Sequence, residues 1–193
     1  GLALQLPAPL DKRPEVALPL RLRIEPLAGA ARGATRDELQ FALGSGPTPL
    51  LHLHYQREHR GAATRLLRGS VALRSAPPAL PPSGVLAALD LGDFDADAWA
   101  RLYTAPAATP AAPVPVPATA PARPGAPTLE DSRLYWPTHG RLQAARLTQW
   151  GRSFHELSLS GNLERNTWRM AVQARELAGQ IHYRAGSAQT AGQ

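Results

Sequence analysis

The stretch TWRMAVQARELAGQIHYR, residues 167–184, alternates between apolar and polar side chains with a single slip of parity in the middle. Trp168, Met170, Val172 and Ala174 share one parity, after which Leu177, Gly179, Ile181 and Tyr183 carry the apolar set. A period of two sends alternate side chains to opposite faces of a sheet. The slip therefore marks two strands with a short turn between them. A sheet with one apolar face has to cover that face with something, and this requirement constrains the chain more than any other feature of its sequence.

The same alternation recurs upstream. Leu18, Leu20, Leu22 and Ile24 alternate with Pro19, Arg21, Arg23 and Glu25, and Pro19 suggests an edge or bulge because proline cannot donate to the ladder. DELQFAL sets Leu39, Phe41 and Leu43 on one side, and LLHLHYQ opposes Leu51, Leu53 and Tyr55 to His52, His54 and Gln56. LLRGSVALR aligns Leu67, Gly69, Val71 and Leu73, and VLAALDL adds a further strand ending at Leu91. The connections AGAARGATRD, GSGPTP and APPALPPSG carry the Gly and Pro of turns and loops. One short helix is predicted in DFDADAWARLY, with Asp95 as its cap and Ala98, Trp99 and Leu102 on its apolar side. In RLQAARLTQWGRSFHELSL, helical spacing competes with a hairpin turning at Trp150–Gly151–Arg152. Gly151 would cost a helix about 1 kcal/mol relative to Ala, which favours the hairpin.

These elements define three regions. Residues 1–103 form a β-sheet segment ending in the short helix, and residues 129–193 form a second β-sheet segment. Between them, residues 104–128 are dense in Pro and Ala, almost uncharged and too poor in buriable surface to order as a core, so a disordered linker or insertion is expected there. About nine amphipathic strands and no long amphipathic helix leave two solutions: a sandwich whose apolar faces meet, or a curved sheet whose apolar side is left for a ligand. Periodicity does not choose between them.

Composition narrows the function. The 193 residues contain no Cys, which excludes disulfides and thiolate zinc sites. The single Met, Met170, leads us to expect a piece of a longer protein, with any leader or anchor lying outside it. The net charge of +6 comes almost wholly from Arg scattered through alternating segments, without the basic stripe and stacking aromatics of a nucleic-acid binder. We expect no nucleic-acid partner. His52 and His54 share a strand side at a spacing two metal ligands could use, but they occupy the polar parity and no third ligand has a supporting motif; no metal and no cofactor are expected. Asp90, Asp93, Asp95 and Asp97 lack the mid-loop Gly and terminal Glu of a calcium loop. Ser153 and His155 put a hydroxyl near an imidazole in sequence with nothing to orient them, so no enzyme is expected.

Three motifs in order resemble the YhdP family of AsmA-like proteins from Gram-negative bacteria. They are GLALQLPAPLDKRPEVALPLRL, then LDLGDFDADAWARLY, then RLTQWGRSFHELSLSGNLERNTWRMAVQARELAGQIHYR. In the last, the matching positions are Leu147, Gly151, Arg152, Leu157, Leu159, Trp168, Leu177, Gly179, Ile181 and Tyr183. The resemblance covers both halves but not residues 104–128. It implies a curved antiparallel sheet forming a hydrophobic groove, in the periplasmic region of an inner-membrane-anchored protein that carries phospholipid between the inner and outer membranes. It supplies no catalytic residue. On this reading the groove candidates are Leu20, Leu22, Ile24, Leu39, Phe41, Leu43, Leu51, Leu53, Tyr55, Val71, Leu73, Trp168, Met170, Val172 and Ile181. The alternative is a closed β-sandwich acting as a scaffold or binding module without lipid cargo.

Overall fold

A computed structural model of the chain describes residues 7–8, 10, 17–104 and 134–184. Ten strands form one open, curved sheet. They are β1 (Leu20–Leu27), β2 (Thr35–Leu43), β3 (Leu51–Arg60), β4 (Ala63–Leu73), β5 (Gly84–Asp90), β6 (Asp93–Asp95), β7 (His139–Gln149), β8 (Arg152–Glu164), β9 (Thr167–Gln173) and β10 (Ala178–Arg184). Helix α1 (Ala96–Thr104) follows β6. The strand order is β1-β2-β3-β4-β5-β7-β8-β9-β10, with β6 also alongside β7. The first and last halves of the chain thus meet within one sheet, where β5 pairs with β7. The Pro/Ala-rich insertion expected at 104–128 lies, from residue 105 onward, outside the described residues.

The expected sheet was wholly antiparallel, and here the structure differs. β4–β5, β5–β7 and β6–β7 are parallel pairs. Alternation encodes which face a side chain takes but not the direction of a strand, because both directions keep the period of two. Parallel neighbours need a crossover that carries the chain back to the end where it began. Residues 74–83, RSAPPALPPS, provide one without a helix. Ser75 Oγ donates to the Ala88 carbonyl at 2.8 Å, and Pro78 lies beside Leu86 and Ala88. The crossover therefore lies on the face opposite Val71 and Leu73, where Ala72, Ala88 and Ser70 are fully buried.

Hairpins build the rest. At Trp150–Gly151 and Arg165–Asn166 both central residues have positive φ (54° and 69°, 46° and 71°), the geometry that matches the twist of two-residue hairpins. The expected hairpin at Trp150 is therefore present. The parity slip in residues 167–184 is another: Ala174 N–H donates to the Leu177 carbonyl at 2.7 Å, and β9 and β10 pair Trp168 with Tyr183, Met170 with Ile181 and Val172 with Gly179. Glu176 ties this turn back to β8 through the His155 N–H (2.8 Å) and ring Nδ1 (2.6 Å). Pro26 sits in β1, an edge strand, where its missing N–H costs no ladder bond. Leu67, expected in line with Gly69, is instead the extra residue of a β-bulge, since Gln56 pairs with Arg68 and Arg57 with Leu66.

Helix α1 starts as its sequence predicts, with Asp95 Oδ1 accepting the Ala98 N–H at 2.8 Å. Trp99 stacks on Phe94, which pairs with Leu147 of β7. The Asp97 carboxylate accepts the N–H groups of Trp150 (2.8 Å) and Gly151 (2.9 Å), fastening the helix to the β7–β8 turn. Those two hydrogen bonds hold the Asp97 carboxyl below its ordinary range.

Close strand packing makes two glycines unequal. A Cβ at Gly161 would stand 2.3 Å from the Arg169 carbonyl oxygen, whereas one at Gly179 meets nothing within 4 Å. Gly161→Ala is expected to destabilise the fold by about 1–3 kcal/mol. Gly179→Ala is expected to stay within about 0.5 kcal/mol of the wild type. Urea midpoints of the two variants check the contrast, and equal midpoints would contradict the packing described here.

Candidate functional site

Paired residues on neighbouring strands project to the same face, so the register determines what the sheet presents. A middle row runs from Leu22 through Phe41, Leu53 and Val71 to Ala87. It continues through Gly140, Gly161 and Met170 to Ile181. A second row joins Leu20, Leu43, Leu51, Leu73 and Leu89 to Leu142, Leu159, Val172 and Gly179. A third joins Ile24, Leu39, Tyr55, Gly69 and Val85. Thr138, hydrogen-bonded to both Val85 and Leu163, bridges that third row to Leu163, Trp168 and Tyr183. The result is a continuous apolar strip across nine strands, about 38 Å long at ordinary strand spacing.

All fifteen residues singled out from the sequence lie on these rows. Their burial varies along the strip. At the edges Leu22 is 59% and Ile181 40% exposed, whereas Tyr55, near the centre, is 5% exposed. The centre is also the lowest part of the floor, because Ala87, Gly140 and Gly161 replace the Leu, Phe and Met of the flanks. A concavity of about 320 Å³ opens there, walled by Leu89, Leu142 and Leu159 on one side and Trp136, Trp168 and Tyr183 on the other. Gly69 has a different reason to lack a side chain: a Cβ would stand 2.3 Å from the Tyr55 ring, which lies across it.

Sequence reading missed several parts of this strip. Leu142 and Leu159 alternate legibly, but Ala87, Gly140 and Gly161 have no hydropathy that would mark them. Tyr135 and Trp136 lie just ahead of β7, outside any period. Tyr135 packs edge-on against Tyr55 at 5.1 Å between ring centroids. Burial pushes the Tyr55 hydroxyl up to about 12.

Polar groups border the strip beyond Leu39 and Tyr55. Arg57 donates to both oxygens of Asp37, from Nε at 2.9 Å and Nη2 at 2.6 Å. His59 Nε2 lies 3.2 Å from the same carboxylate, and its Nδ1 3.1 Å from Thr64 Oγ1. Hydrogen bonding to Arg57 holds Asp37 below the usual carboxylate range, and the same pairing raises Arg57, with the Tyr135 side chain adding to it.

The opposite face carries a separate network. Glu38 accepts from Gln56 Nε2 at 2.9 Å and lies 2.8 Å from His54 Nε2, contacts that lower its pKa. Arg36 donates from Nε and Nη2 to the buried Glu58, likewise lowering it. His54 is thus engaged by a carboxylate. Burial lowers the pKa of His52, whose Nδ1 is buried without a hydrogen-bond partner. Among the described residues no group of three or more His, Cys, Asp or Glu is arranged to hold a metal, and no helix there is long and apolar enough to cross a membrane.

The described residues thus form one open, curved sheet with an apolar strip across one face. The family model for YhdP protein matches residues 1–191, and the chain belongs to that family. No curated protein and no solved structure matches it.

The lowered carboxylates give the pH response a sign. Asp37 and Glu38 have folded-state pKa values below their unfolded ones. Their contribution is therefore complete above the unfolded values near 4, and is lost as pH falls through the folded ones. The double variant Asp37→Asn/Glu38→Gln is expected to lose less stability than the wild type between pH 5 and pH 3, as read from urea midpoints across that range (about the span in which such carboxylates protonate). Parallel losses in the two proteins would contradict the assignment.

Proposed function

We propose that the chain is a segment of a periplasmic bridge, belonging to an inner-membrane-anchored protein, that shields phospholipid acyl chains on its apolar strip during transport between the inner and outer membranes. The observation that carries this reading is the continuity of the strip across all nine strands of the path, with its edges left exposed. An acyl chain in water costs about 0.8 kcal/mol per CH₂, so a lipid crossing an aqueous gap needs its tails covered along the whole way. A strip spanning the sheet meets that need with alternate residues of each strand, while the far side carries polar residues and, over β4 and β5, the packed crossover.

The reading requires surface and not chemistry, so the protein acts without a catalytic residue, cofactor, metal or nucleic acid. Its partners are phospholipid and the two membranes. The sandwich alternative is less well supported, because a sandwich places a second sheet against the apolar face and the described residues form one sheet.

A photo-crosslinking residue placed at Leu53 or Met170 in cells is expected to capture phospholipid, while the same residue at Arg23 or Gln173, on the opposite face, is expected to capture little. Capture from the opposite face alone would refute the proposal.

A further inference from the structure

The two long borders of the apolar strip are chemically different. The border formed by Leu20, Leu43, Leu51 and Leu73 carries no aromatic residue. The other border gathers Tyr55, Tyr135, Trp136, Trp168 and Tyr183, out of four Trp and four Tyr in the chain. Tyr and Trp combine an apolar body with a polar tip and favour boundaries between oily and wet surroundings. Immediately outside this border, on the same strand faces as Leu39 and Tyr55, stand Asp37, Arg57 and His59.

From this asymmetry we propose that the border at Tyr55, Tyr135 and Arg57 is a binding site for the phosphate of an amphiphile's head group, whose tails lie on the apolar strip. The proposal rests on the lipid-shielding function above and fixes the orientation of the cargo. Arg57 is the phosphate-facing group. Asp37 occupies its Nε and one Nη2 position, and a guanidinium offers five N–H donors in a fixed fork. Asp37 thus positions the guanidinium without exhausting it, and His59 Nε2 steadies Asp37 at the same Oδ2 oxygen, 3.2 Å away. Tyr55 packs edge-on against the Tyr135 ring at 5.1 Å and donates towards the Tyr135 carbonyl at 3.5 Å, which holds Tyr135 at the same border. The Arg57 and Asp37 side chains are only 16% and 18% exposed, so a phosphate there would meet a partly desolvated donor, where a charge-assisted hydrogen bond is strongest.

The test uses the unaltered chain and two photoreactive phospholipids of the same class, presented in phosphatidylcholine vesicles. One carries the diazirine on the head group and the other at the end of an acyl chain. Head-group adducts are expected to concentrate in residues 55–64 and 134–137, and tail adducts on strip residues such as Leu73 and Leu142. A second arm compares loading of a phospholipid with loading of the diacylglycerol that lacks its phosphate. Asp37→Asn/Arg57→Gln, which keeps a neutral hydrogen-bonded pair, is expected to reduce the preference for the phospholipid about tenfold while still taking up diacylglycerol. Head and tail probes labelling the same positions, or an unchanged preference in the variant, would overturn the head-group site and leave lipid shielding intact. Loading of neither lipid by the wild type would overturn both.

Discussion

Residue-for-residue pairing across the sheet is the constraint on which the rest of the structure depends. Each strand alone has an apolar side, but a side becomes a continuous surface only if every neighbour pairs in the parity that puts its own apolar residues opposite. A shift of one residue at any junction would send a strand's oily side chains to the far face. The pairing of Leu22 with Phe41, Phe41 with Leu53 and onward to Ile181 keeps that parity through eight junctions, two of which are parallel. The short hairpin turns enforce it locally, because a two-residue loop with both φ values positive permits only one register between its strands.

The parallel junctions at the centre are what allow the two halves of the chain to share the strip. After β4 and again after β6, the chain returns to the starting end instead of turning back on itself. The first return, through residues 74–83, lies across the face away from the strip and buries Ala72, Ala88 and Ser70. The second begins with α1, which Asp97 fastens to the β7–β8 turn. It ends with Tyr135 and Trp136 arriving on the strip side, just before Thr138 bonds to Val85. The crossover through residues 74–83 thus packs one face, while the other keeps its apolar rows and gains Tyr135 and Trp136 from the second connection. That division is what an acyl-chain surface would require.

Much of this was legible because period-two alternation is a local signal. The strands around Leu22, Phe41, Leu53, Val71 and Met170, the hairpin at Trp150, the cap at Asp95 and the turn hidden in the parity slip at residues 174–177 can all be read from a few neighbouring residues. The central floor was not, because the need for a small residue shows only against the partner strand: a Cβ on Gly140 would stand 2.6 Å from the Ala87 carbonyl oxygen, far away in sequence, and one on Gly161 2.3 Å from that of Arg169. The bulge at Leu67 was missed for a similar reason: an extra residue is visible only against the partner strand.

The sequence by itself determined that the described residues form a β structure, which side chains share a face along most of their strands, and where the hairpin at Trp150, the turn at 174–177 and the helix capped by Asp95 fall, since each of these follows from backbone geometry over a few residues. Only the tertiary structure decided strand direction, the meeting of both halves in one sheet, and the gathering of Tyr55, Tyr135, Arg57 and Asp37 at a single border. Those outcomes depend on which strands become neighbours. Neighbour choice is settled by crossovers and packing between residues distant in the chain, and side-chain periodicity carries no record of it.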